Sequence, residues 1–280
     1  MPRWIDAIWP SGSGGWSPAK LRQFETGWHA VLSANAFLHG LDEKSRTRLR
    51  EISLLFLKQK EFYGAQGLQI TDGIAITIAV QACLPLVNMA PPQRALAWYD
   101  DFVGIVVHPA PMRARRESVD EAGVVHRYQE ELAGEAMAGG PVTLNWIDVA
   151  NAASEAQTGT NLVIHEFAHK LDMRSGEADG CPPLPTGFMG TGSDREARRL
   201  WLSALQGAYE SFREQLILAD RFGQAQPWLD RYATHSLPEF FAVACEAYFV
   251  NRERFESGFP ALMPLFNAFF DRRQMWAPEN

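Results

Sequence analysis

The segment from Asn161 to Asp172 reads NLVIHEFAHKLD and sets two histidines and a glutamate into an otherwise apolar run. Leu162, Val163, Ile164, Phe167, Ala168 and Leu171 predict a helix that is apolar nearly all round and therefore buried. Residues four apart lie on one helix face, so His165 and His169 can present both imidazoles to a single metal ion. Glu166 is turned about 100° from His165 and can reach water held by the metal rather than the metal itself. This is the H-E-x-x-H pattern of zinc peptidases, in which the carboxylate takes a proton from water and returns it to the leaving amine. A shuffled chain of this composition would show it roughly 0.01 times. A buried helix with its histidines bonded to neighbouring carbonyls is the structural alternative. It must bury two imidazoles and a carboxylate without a cation, which is costly.

A catalytic zinc usually takes three protein ligands and leaves a fourth position open. The longer pattern with a third histidine six residues on is excluded, because Asp172 stands at its glycine position and Ser175 at its histidine position. The third ligand must come from farther along. The best source is Tyr232 to Phe249, where Glu239 and Glu246 lie seven apart on one face of an apolar helix. Either glutamate suits the role. Glu239 also has a purely structural use, since Ser236-x-x-Glu239 is a capping box. His235 reads as a residue of the capping turn.

The remaining pattern is α+β, mainly helical, with one small sheet. Helical periodicity runs from Asp42 to about Tyr63, and another helix begins at Thr71 or Asp72 and stops before Pro85. Later helices are expected near 161–173, 193–218, 237–250 and 261–272. Strands are expected at 102–107, 123–128 and 142–146, all in one sheet. The glycine- and serine-rich stretch 11–15 marks residues 1–20 as a flexible segment, with one domain over 21–275. His108 and His126 read as structural histidines, Arg113 to Arg116 as a solvated loop, and Cys181 and Cys245 as small core residues.

Of 280 residues 46% are hydrophobic and 21% charged, and the net charge is −7, which argues against a nucleic-acid partner. The longest apolar stretch, Ile74 to Val87, is too short and too interrupted to span a membrane. Three widely spaced cysteines and no apolar leader suit a reducing, cytoplasmic location.

HEFAHKLD, followed about 60 residues later by Tyr-x6-Glu-Phe-Phe-Ala, resembles the zinc peptidases related to Mlc titration factor A. Their catalytic core is similar to that of anthrax lethal factor. Trp98–Pro109, Gly140–Trp146 and residues 232–250 carry the likeness too, which spans roughly residues 20–275. The resemblance implies a zincin-like, gluzincin-type fold with Zn²⁺ held by His165, His169 and Glu239. It implies Glu166 as the base and Tyr232, seven residues before the ligand glutamate, as a group facing the site. Glu246 and Asp172 become candidates for orienting an imidazole. Aminopeptidase activity on peptide substrates is implied, as is binding to the glucose repressor Mlc. The competing reading is a regulatory protein that titrates a repressor, with hydrolysis weak or secondary. Strand 142–146 is the expected edge on which substrate backbone would pair.

Overall fold

Short polar side chains mark where helices begin, because each can accept a hydrogen bond from an amide that the first turn leaves unpaired. In the computed structural model, which describes residues 16–119, 125–132 and 134–273, Ser17 caps α1 (Pro18–Ala34) and Asp42 caps α2 (Glu43–Gln59). Strand β1 (Glu61–Gly64) follows, then α3 (Asp72–Cys83), capped by Thr71, and the short α4 (Pro92–Ala95). Next come β2 (Gly104–His108), β3 (Met112–Val119), β4 (Val125–Leu132), β5 (Glu135–Ala136) and β6 (Val142–Asn145). The second half is helical: α5 (Trp146–Glu155), α6 (Leu162–Asp172), α7 (Asp194–Phe222), α8 (Leu237–Val250), α9 (Arg252–Gly258) and α10 (Met263–Phe270).

The main sheet has the order β1-β2-β6-β5, with the first three strands parallel and β5 antiparallel on β6. Phe62, Ile105 and Val142 stand in register across it and are all buried. Helix α6 runs through the core. Phe167 meets the rings of Tyr99, Phe56 and Phe102 at centroid distances of 4.8, 5.7 and 5.9 Å. On the far side Trp201 of α7 stacks on Phe266 of α10 at 5.6 Å. Among the described residues no helix is long and apolar enough to cross a membrane.

The mainly helical α+β reading stands, with corrections to the strands. Residues 123–128 were expected in the same sheet as 102–107 and 142–146. Instead β4 pairs only with β3, as an antiparallel hairpin apart from the main sheet. Arg113 to Arg116, expected in a loop, belong to β3. The helix expected to reach Tyr63 ends at Gln59. Beyond it Lys60 is buried and donates to the carbonyls of Tyr99 (2.5 Å) and Phe102 (2.6 Å), pulling the chain into β1. Helices α1 and α5 were not expected. The expected edge strand 142–146 is covered by β5, so β5 is the edge on that side of the sheet and β1 the edge on the other. Most of the segment expected to be flexible, residues 1–15, lies outside the described residues.

Candidate metal centre

Two helices supply the site, and their caps fix where its side chains point. Asn161 caps α6 by accepting from the Ile164 amide at 2.9 Å. Ser236 caps α8, accepting from the Glu239 amide at 3.3 Å. Only half of the capping box forms. The Glu239 carboxylate faces α6, where its Oε2 lies 3.1 Å from His165 Nε2 and 3.2 Å from His169 Nε2. The two Nε2 atoms are themselves 3.2 Å apart. Three donor atoms from residues 165, 169 and 239 thus converge on one point, a grouping that could hold a metal ion.

Glu246 sits one step behind. Its Oε1 lies 2.7 Å from His165 Nδ1, while Oε2 accepts from the Asn161 amide at 2.5 Å. With Nδ1–H donating to this carboxylate, His165 Nε2 carries a lone pair toward the carboxylate of Glu239. With His165 neutral, three electron-rich atoms so close repel one another unless a proton or a metal cation lies between them. The field of the site has the same requirement. Burial opposes charge on His165, but the hydrogen bonds to Glu239 and Glu246 and the charge of Glu166 outweigh it and hold its pKa well above the usual imidazole value. Burial and the neighbouring His165 keep His169 low, although Glu239 pulls the other way. Burial alone would raise Glu239, but the two imidazoles hold it well below the carboxylate range. The arrangement therefore favours one positive charge shared by three groups, which is what a bound cation provides.

Comparison with known proteins agrees with this chemistry. Residues 17–271 match the family described as glucose-regulated metallo-peptidase M90. The chain belongs to that family. Its relatives include proteins named Mlc titration factor A. That of Escherichia fergusonii is 32% identical over 249 residues, covering 89% of this chain and 86% of the relative. That of Cronobacter sakazakii is 33% identical over 244 residues, covering 87% and 84%, and that of Klebsiella pneumoniae is 32% identical over 249 residues, covering 89% and 86%. Membership in a metallopeptidase family implies a metal ion, and the residues of this M90 chain fit one.

Glu166 is 4% exposed and lines a cavity of about 610 Å³ together with His165, Tyr232 and Gly134. Burial pushes its carboxyl up to about 8. His165 counteracts this, while Glu239, Glu246 and Glu135 add to it. The backbone at Gly134 packs directly on this carboxylate. A Cβ there would lie 2.5 Å from Glu166 Oε1, so a side chain at residue 134 would displace the Glu166 carboxylate. Tyr232 is in the short 3₁₀ turn Arg231–Thr234, whose cap Asp230 accepts from the Tyr232 amide at 2.8 Å. Its ring is 5.8 Å from the His165 ring and 4.5 Å from that of His235.

One candidate goes elsewhere. Asp172, expected near an imidazole, is buried and accepts from the Gly180 amide at 2.7 Å, and it is not among the residues that line the cavity. Burial raises its carboxyl to about 6. Sequence reasoning missed Gly134 and Lys170. A lysine inside an apolar helical run was a signal for the second, while a lone glycine between two strands carries little.

Proposed function

We propose that this chain is a zinc-dependent peptidase acting in the cytoplasm, with His165, His169 and Glu239 as ligands. The observation that carries the reading is the convergence of the three donors at 3.1–3.2 Å. Atoms about 2.0–2.2 Å from one tetrahedral zinc lie about 3.3–3.6 Å from each other, so the site needs to open by only a few tenths of an ångström. When bound, zinc supplies Lewis acidity toward a peptide carbonyl and makes water a usable nucleophile near neutral pH. Glu166 holds its carboxyl at the cavity wall, takes the proton of the attacking water and passes it to the leaving amine. Tyr232 donates to the carbonyl oxygen as negative charge develops there. An extended peptide pairs with the outer edge of β5, which lies beside Glu166 through Gly134.

Cleavage from the amino terminus is the finer part of the proposal and rests on the sequence resemblance. The name of the relatives supports a second role, binding an Mlc-type repressor, which a pull-down with that repressor tests separately. The primary experiment measures zinc in the purified protein, then hydrolysis of aminoacyl reporters and internally quenched peptides with and without chelator. Glu166→Gln should keep zinc and lose about 10²–10⁴ of the rate. Absence of stoichiometric metal, or chelator-resistant hydrolysis, overturns the reading.

A further inference from the structure

Lys170 follows the second histidine, and its side chain is fully buried. An ammonium has three N–H donors, and here three oxygens take them. Lys170 Nζ donates to Met137 O at 2.6 Å, Gly140 O at 2.9 Å and Asp101 Oδ2 at 3.1 Å. It also lies 4.5 Å from the centroid of the Phe102 ring, which Lys60 Nζ approaches at 4.0 Å. A buried charge this fully partnered fixes what it touches, because releasing any partner leaves a desolvated ammonium short of a bond.

What it touches is the turn between β5 and β6. Met137 and Gly140 are the two ends of that turn, joined by their own hydrogen bond of 3.0 Å. Strand β5 has only two residues paired with β6, Glu135 opposite Thr143 and Ala136 opposite Val142. So short a ladder holds an edge strand weakly. Immediately before it, Gly134 lies against the Glu166 carboxylate. We infer that Lys170 is a positioning residue, whose grip on the 137–140 turn sets the edge strand β5 against Glu166 and so aligns a peptide bound on that edge. The holding of β5 stands on the contacts alone; the alignment of a peptide rests on the peptidase reading above.

Lys170→Met keeps the aliphatic stem and deletes the ammonium. Well below its melting temperature, this variant should keep the wild-type metal content. Amides of residues 134–143 should exchange at least about tenfold faster, with those of α8 unchanged. For a cleaved peptide KM should rise about tenfold while kcat falls less than about threefold, the opposite split from loss of the base. Gly140→Ala attacks the same grip from the turn, since its Cβ would meet Met137 Cβ at 2.8 Å. If both act through one contact, the double variant should add little to either single change. Unchanged exchange at 134–143 in Lys170→Met overturns the inference, as does a uniform loss of protection along the chain with KM unaltered. Should that variant fail to fold, Gly140→Ala carries the test, and unaltered exchange with unaltered KM overturns it. If the wild type cleaves no peptide, the peptidase reading falls on that result, while the exchange measurement still decides whether Lys170 holds β5.

Discussion

Helices α7 and α8 are neighbours that keep their charges by opposite means. Along α7, Ala197, Trp201, Leu205, Tyr209, Phe212, Leu216 and Ala219 are buried at helical spacing, and the charges between them face solvent. In α8 almost every residue from Phe240 to Tyr248 is buried, and Glu246 is buried with them. Water solvates the charges of α7, so each is worth little and depends on no single partner. Glu246 is nearly sealed from water and its carboxylate is held by the His165 ring and the Asn161 amide, so losing either partner is costly. An amphipathic helix thus tolerates change on its outer face, and an all-apolar helix confines tolerance to positions without polar work.

That contrast can be broken or sharpened by substitution. Glu239→Ala should have the largest effect. It removes one of three donors, so metal affinity should fall by well over the 10–100-fold typical of outer-shell changes. Metal analysis showing occupancy retained would move the ligand to Glu246. Tyr232→Phe comes next, with an expected loss of roughly 10²–10³ in kcat, KM little changed and zinc content full. Unaltered kcat on a cleaved substrate removes the phenol from the reaction. Glu246→Gln should be milder, lowering metal affinity about 10–100-fold because the imidazole loses the charge that orients it. A drop as large as that of Glu239→Ala would mean that Glu246 binds the metal directly. Smallest of all should be Arg198→Ala on the outer face of α7, which breaks an exposed pair with Asp179. We expect at most about 1 kcal/mol, shrinking in high salt, with metal content unmoved. A larger change in thermal melting would show that α7 depends on its surface charges after all.

The site was legible to different depths. His165, Glu166 and His169 stood out because polar residues inside an apolar helix need a reason to be there. Glu239 and Glu246 could not be separated by spacing, since residues seven apart share a face. Their difference is one of depth: Glu239 faces both Nε2 atoms, and Glu246 sits behind His165 against Nδ1. Asp172 was misjudged because three residues past His169 places it near the histidine along the helix without saying which neighbour it meets. The Gly180 amide, eight residues on, takes it instead.

By itself the sequence determined most of the longer helices and which of them carry the candidate site residues. Caps such as Asn161, Thr71, Ser193 and Ser236 act within one turn of their own residue, and helical periodicity needs only near neighbours. Only the tertiary structure decided which strands are the edges, that β3 and β4 form a hairpin of their own, and what Lys170 holds. Strand order depends on backbone groups far apart in the chain. The oxygens around Lys170 come from residues 30, 33 and 69 positions away, so no local pattern foretells that an ammonium will find all three.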